Sequence, residues 1–333
     1  MAGILSSAPS VFAGNPQRVG SAAAPELLIN PWARSAGWGA LNLSTVKGVE
    51  ASFVNIAGTA FTEGTEFYFS NTNWLSGSDI RINAAGLNQS VGNGGVLGIS
   101  LVSFDYGEWE ITTEDLPDGG AGTISPSALT LGISYARKFT NTIYGGVNVK
   151  VYNQSINNVS GTALCADAGV QYVTKTIKFG ITLRNVGSSY SMSGDGLSIT
   201  LPVPQGNYTQ SYEQRSATFD LPVQLALGGT YDLQFANDFR FTPGISFVSN
   251  SFQKDEYVPG LEVSWKEVLM LRGAYVIQDN RDDGTRTSAL TGLTAGMTFQ
   301  TKLGEESKIG IDYAYRATNP FSGVHSVGVR LEF

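Results

Sequence analysis

The chain has 333 residues and a formal net charge of −7, with only 15% charged against 42% hydrophobic residues. Soluble domains carry about 25% charge; here Gly, Ser, Thr, Asn and Gln take its place, and mean hydropathy stays at −0.03. A single cysteine, Cys165, and a single histidine, His325, exclude a disulfide framework and a Cys/His metal centre, the acidic balance argues against nucleic acid as a partner, and no run approaches the ~18 apolar residues of a membrane-crossing helix.

Residues 1–14 are small and apolar, and Val11-Phe12-Ala13 would suit a signal-peptidase site. The first basic residue is Arg18, so the positive region of a signal peptide is missing. Either a true signal lies outside this numbering, the favoured reading, or the segment is part of the mature protein. Residues 1–63 are rich in Ala, Gly, Ser and Asn and lack strand periodicity. They form a first unit, expected to plug the lumen or the periplasmic mouth of a barrel formed by residues 64–333.

From residue 64 to 333 the chain alternates at period two, the mark of strands with one apolar and one polar face. A weak segment at Glu66–Ser70 is followed by Ile80-Ile82-Ala84 and Leu97-Ile99-Leu101. Leu129 to Tyr135 opposes Thr130, Gly132, Ser134 and Ala136, and Ile143 to Val151 opposes Tyr144, Gly146, Asn148 and Lys150. Leu164 to Val170 opposes Cys165, Asp167 and Gly169, and Ile177 to Leu183 opposes Lys178, Gly180 and Thr182. The rest follow at Leu221–Leu227, Phe239–Phe247, Leu261–Trp265, Leu269–Tyr275, Leu293–Phe299, Ile309–Tyr315 and Val327–Phe333, for fourteen in all.

A soluble β-sandwich also alternates, but its outer face would carry many more Lys and Glu. Here the polar face is rich in Gly and small residues. The connections differ in length as well. Those at 137–142, 173–177, 231–238, 266–269 and 302–308 read as short, and those at 104–125, 152–162, 184–215, 248–257 and 278–288 as long. Outer-membrane barrels pair short periplasmic turns with longer extracellular loops, and in lipid a sheet must close. The expected fold is therefore all-β: a 14-stranded antiparallel transmembrane barrel of the bacterial outer membrane, with both termini periplasmic and outer-membrane lipid around it. The chain ends on Phe333, like the terminal aromatic of bacterial outer-membrane proteins.

On the inferred lumen face stand nine bases: Arg81, Lys150, Lys178, Arg184, Arg240, Lys266, Arg272, Arg316 and Arg330. Four acids face them: Asp167, Glu262, Asp312 and Glu332. The bland reading is that these charges pair with one another and with the N-terminal segment. The remaining acids concentrate in the long loops, with Asp105, Glu108, Glu110, Glu114, Asp115 and Asp118 in one, and Asp255, Glu256, Asp279, Asp282 and Asp283 in two others. Exposed aromatics in polar surroundings mark interfaces. Tyr106 and Trp109, with Glu108, Glu110, Asp115 and Asp118, are thus the candidate partner-binding residues. Tyr135, Tyr172 and Trp265, at strand ends, suit an interfacial girdle.

The stretch Ala22-Ala23-Ala24-Pro25-Glu26-Leu27-Leu28-Ile29-Asn30-Pro31-Trp32-Ala33-Arg34-Ser35-Ala36-Gly37-Trp38-Gly39-Ala40 resembles the N-terminal signature of the PorV/PorQ family, and nearer its PorV branch. Asn55-Ile56-Ala57-Gly58 resembles that family's Asn-Pro-Ala-Gly-like turn, with Ile56 in place of proline. Pro31, Arg34, Gly37, Gly39, Asn55 and Gly58 carry the likeness. The resemblance implies a FadL-like barrel of the type IX secretion system of Bacteroidetes-type bacteria. Such a barrel is non-catalytic and needs no cofactor. It binds the C-terminal signal domains of secreted cargo and the SprA-type translocon.

Catalytic readings are poor. A Ser-His-Asp triad would need His325, which the alternation places on the Val327 face near the outer end of the last strand. Cys165 reads as a lumen filler. Gly92-Asn93-Gly94-Gly95 lacks the Lys-Ser/Thr and the helix of a phosphate loop. The alternative function is a FadL-like transporter of hydrophobic small molecules, which calls for an apolar pocket among the lumen and N-terminal residues.

Overall fold

The computed structural model describes residues 16–39, 41–203, 206, 208–235, 238–278, 288–304 and 307–333. Residues 1–14 and the loop acids Asp279, Asp282 and Asp283 lie outside them. The barrel strands are β1 (Thr65–Trp74), β2 (Ile80–Gly92), β3 (Gly95–Asp105), β4 (Ser127–Lys138), β5 (Ile143–Ile156), β6 (Val159–Val173) and β7 (Ile177–Gly187). They continue with β8 (Gln224–Tyr231), β9 (Phe239–Asn250), β10 (Glu256–Trp265), β11 (Leu269–Gln278), β12 (Gly292–Leu303), β13 (Ser307–Arg316) and β14 (Val324–Glu332). Each pairs antiparallel with its neighbours in the chain. The pairing of Phe67 with Leu331 and Asn71 with Val327 closes β1 onto β14. The result is the expected 14-stranded ring, without a free edge.

Alternation sorts the wall into two faces. Outward stand Leu97, Ile99 and Leu101 on β3, Leu129, Leu131 and Ile133 on β4, and Met297 and Phe299 on β12, all exposed. Inward stand Thr130 and Ser134, Asn148 and Lys150, Asp312 and Arg330, all buried. A closed sheet with an apolar outer band satisfies every backbone group where no water is available, which is how strands cross a bilayer. Tyr135, Tyr172 and Trp265 point outward near the short-turn end.

Three details depart from the alternation as read. The connection at 248–257 shrinks to residues 251–255, because β9 runs to Asn250 and β10 starts at Glu256. The connection at 152–162 is not a long loop. β5 and β6 run on to Ile156 and Val159 and meet in a two-residue turn, where Asn157 takes φ 52°. On β2 the apolar set Ile82 and Ala84 faces inward, fully buried, and Arg81 therefore faces out. The upper lumen is itself apolar, so an apolar side chain there does not mean lipid.

Short helical turns between Pro16 and Phe61 occupy the inside of the ring. The chain enters beside the long loops: Ala23 N–H donates to Asp220 O (3.0 Å), and Arg18 pairs with Asp220 (2.9 Å). It leaves beside the short turns, where Thr65 N–H donates to Phe333 O (3.1 Å). The first described residues and the C-terminal residue thus lie at opposite ends of the barrel, whereas an even strand count suggests both termini on one side.

Candidate functional site

The lumen holds the buried charged side chains of the wall, and the N-terminal segment threads it from end to end. Each residue of its signature sits where backbone meets wall. Asn30 accepts from Trp32 N–H (3.0 Å) and donates to Ser35 Oγ (2.9 Å), folding the turn around buried Pro31. Trp32 stacks on Tyr68 of β1 at 5.1 Å, and the Tyr68 hydroxyl accepts from Arg34 N–H (3.1 Å). At Gly37 a Cβ would lie 2.8 Å from Gly296 Cα, so only glycine fits against β12. Gly39 has φ +59°, open to glycine at little strain. Asn55 caps the last turn through Ala57 N–H (3.2 Å) and donates to Leu43 O (2.9 Å) and Val170 O (3.2 Å). Gly58 O accepts from Gly48 N–H (3.1 Å), and Val46 O presses on Gly58.

Charges fill the middle and lower lumen, and most of them are paired with an opposite charge. Lys150 meets Asp167 (2.8 Å) and Asn185 (2.5 Å). Arg184 donates to Phe53 O (2.9 Å), lies over the Phe53 ring and bonds Gln224. Arg240 reaches Asp232 (3.5 Å), Glu262 (3.6 Å) and Glu267 (3.0 Å), and Lys178 meets Asp232 (2.5 Å). Arg272 binds Glu262 (3.2 Å), Thr298 (2.7 Å) and Arg34 O (3.2 Å), and Thr298 in turn bonds Asp312. Arg330 holds Gln300 (2.9 Å) and Glu332 (3.2 Å). Arg34 of the threaded segment joins them through Glu50 at 3.7 Å. Burial pulls the Arg34 guanidinium down, but Glu50, Asp312 and Glu262 outweigh it and hold it above its ordinary value. Three of the bases expected in the lumen stand apart from this network. Among the described residues Arg316, at the long-loop end of β13, makes no hydrogen bond or ion pair with it. Arg81 faces outward, and Lys266 sits exposed in the β10–β11 turn beside Asp238 (3.7 Å).

At the short-turn mouth the lumen widens into a polar cavity of about 410 Å³, reaching from Lys308 and Phe333 up to Arg34 and Glu50. The long-loop half is different. Leu27, Ile82, Phe104, Tyr152, Cys165, Tyr190 and Leu221 pack there into an apolar cluster. Glu26 stands within it with no cation among the described residues in salt-bridge range. It accepts instead from Tyr152 (2.8 Å), Gln154 (3.4 Å) and Tyr106. Burial, then Glu26, pushes the Tyr190 phenol up to about 12 and raises Tyr106 as well.

Tyr106 therefore corrects the docking assignment: its hydroxyl turns inward to the threaded segment. Eighty positions separate it from Glu26, and no local signal links the two. Trp109 is 50% exposed, in a small hairpin that pairs Trp109–Glu110 with Thr123–Ile124. Glu108, Glu110, Asp115 and Asp118 are exposed around it. His325 contacts Tyr313 on the outer wall at 2.8 Å. Among the described residues no His, Cys, Asp and Glu group is arranged to hold a metal ion.

No protein-family profile matches the chain, and no curated protein does. Solved structures do. The Pseudomonas putida toluene transporter TodX is similar over 90% of this chain and 96% of its own, at 13% identity and TM-score 0.55. The monoaromatic hydrocarbon channel CymD is similar over 92% and 98%, at 12% identity and TM-score 0.59. A Pseudomonas aeruginosa FadL homologue is similar over 90% and 97%, at 12% identity and TM-score 0.54. At such identities the likeness is one of fold: this chain has the architecture of the FadL-type barrels.

Proposed function

We propose that the protein is a bacterial outer-membrane barrel that handles small hydrophobic compounds, with the short turns periplasmic and the long loops outside. The observation that supports this most is the apolar long-loop half of the lumen around Leu27, Phe104 and Leu221, in a fold shared with toluene and monoaromatic-hydrocarbon channels. A compound entering from outside would meet carbon first and the charged layer below it. Passage then requires the threaded segment to shift, because its side chains and the wall fill the path. The test is uptake of toluene into vesicles carrying the barrel. A disulfide engineered by Ala23→Cys and Asp220→Cys should stop uptake, and reduction should restore it. Uptake no faster than in empty vesicles would reject the reading.

A second reading is the type IX secretion role, in which the long-loop face receives cargo C-terminal domains or the SprA-type translocon. The exposed Trp109 and Leu116 in an acidic hairpin favour it. Deleting residues 108–122 spares Tyr106 and its bond to Glu26. Loss of co-purified partner on that deletion supports docking, and undiminished co-purification rejects it. Neither reading calls for catalysis.

A further inference from the structure

The outer wall carries an indentation. Across β6 to β10 a groove of about 540 Å³ is lined by Tyr172, Phe179, Ile181, Leu227, Ile245 and Phe247. Its cause is written in the register. Along one outward row Phe179 pairs with Gly229 and Gly229 with Ile245, so a side chain is missing between two large ones. A Cβ at Gly229 would come within 2.9 Å of the Phe179 ring. The next strands carry Pro243-Gly244 and Pro259-Gly260, and the ladder from β10 to β11 lapses at Val258 and Pro259. Proline cannot donate to a ladder, so it marks irregular wall. Behind the groove the wall is thin. Leu41 Cδ2 would touch a Cβ at Gly260 at 2.7 Å, and Leu43 O presses on Gly180.

We infer that this groove is a binding site for one acyl chain of a membrane lipid. It lies in the lipid-facing band, and its volume is that of a ligand pocket. It crosses five strands, about 19 Å at a spacing of ~4.8 Å, which suits an extended chain. No charged side chain lines it, so a free acid would leave its carboxylate unpaired, whereas a lipid keeps its head group at the interface. The site lies outside the lumen, and its failure would leave the transport reading untouched.

The test uses detergent-solubilised full-length barrel with a Phe179→Trp reporter, and Ile133→Trp on the open wall of β4 as comparison, after subtracting wild-type fluorescence. Phospholipid brominated midway along its chains is titrated in. Quenching of Phe179→Trp is expected at about tenfold less lipid, the mark of a tighter site. Adding Gly229→Leu should remove that advantage. Equal quenching of the two reporters overturns the proposal, whether or not the Gly229 variant assembles. So does an advantage that survives Gly229→Leu in an assembled barrel.

Discussion

The Tyr152 hydroxyl of β5 donates 2.8 Å to the Glu26 carboxylate of the threaded segment, inside an otherwise apolar cluster. Tyr106 and Gln154 converge on the same carboxylate. Glu26→Ala would leave buried Tyr152 and half-buried Tyr106 and Gln154 without this acceptor, at a cost of about 1–3 kcal/mol. Amide hydrogens of residues 21–29 should then exchange faster, while those of β12 and β13 keep their protection. Unchanged exchange at 21–29 would show that Arg18, Asp220 and packing alone hold the segment.

Glu50 gives a pH dependence. Burial raises its carboxyl above the ordinary 4.5, with Arg34 opposing only in part. One oxygen, Oε2, has no hydrogen-bond partner among the described residues. A carboxyl raised in the folded state keeps its proton where the unfolded chain has released it, so stability declines as pH climbs from 4.5 towards the raised value, and is level above it. Arg330, Asp312 and Arg272 also act on Glu50, so the informative quantity is the difference between wild type and Glu50→Gln. Thermal unfolding across that window should show wild type losing ground to the variant with rising pH. A difference independent of pH would contradict the assignment.

Much of the barrel was legible because its wall residues have only two environments, lipid and lumen, and sequence parity separates them. Parity failed at Ile80-Ile82-Ala84, where the lumen side is itself apolar. The end of β5 and the start of β6 show no alternation because Asn153, Gln154 and Ser155 are polar on both faces. The signature glycines were visible as residues, but their reason, contact with β12 in the case of Gly37, is long-range. The Glu26 cluster had no signal at all: its members come from positions 26, 106, 152 and 154.

Gly37 and Gly20 separate the two uses of glycine. Gly37→Ala puts a Cβ 2.8 Å from Gly296 Cα, and neither backbone can step aside. Overpacking of this kind costs about 1–3 kcal/mol. Gly20 has φ +80° but nothing within 4 Å, so Gly20→Ala meets conformational strain alone, about 1 kcal/mol. Heat-modifiable gel migration should show Gly37→Ala unfolding at the lower temperature of the two. The reverse order would mean that the threaded segment is not seated on β12.

Arg272 and Arg81 make the sharpest comparison, since alternation placed both in the lumen. The Arg272 side chain is wholly buried and joins Glu262, Thr298 and the Arg34 carbonyl. Removing it leaves Glu262 with Arg240 at 3.6 Å as its one cation among the described residues. A broken buried pair costs about 3–5 kcal/mol, so Arg272→Met should lower the unfolding temperature markedly and loosen residues 33–37, whose carbonyl at Arg34 it holds. Arg81 is exposed and carries no such network, and Arg81→Met should stay within about 0.5 kcal/mol of wild type. Comparable destabilisation by the two substitutions would put Arg81 back in the lumen and shift the register of β2 by one residue.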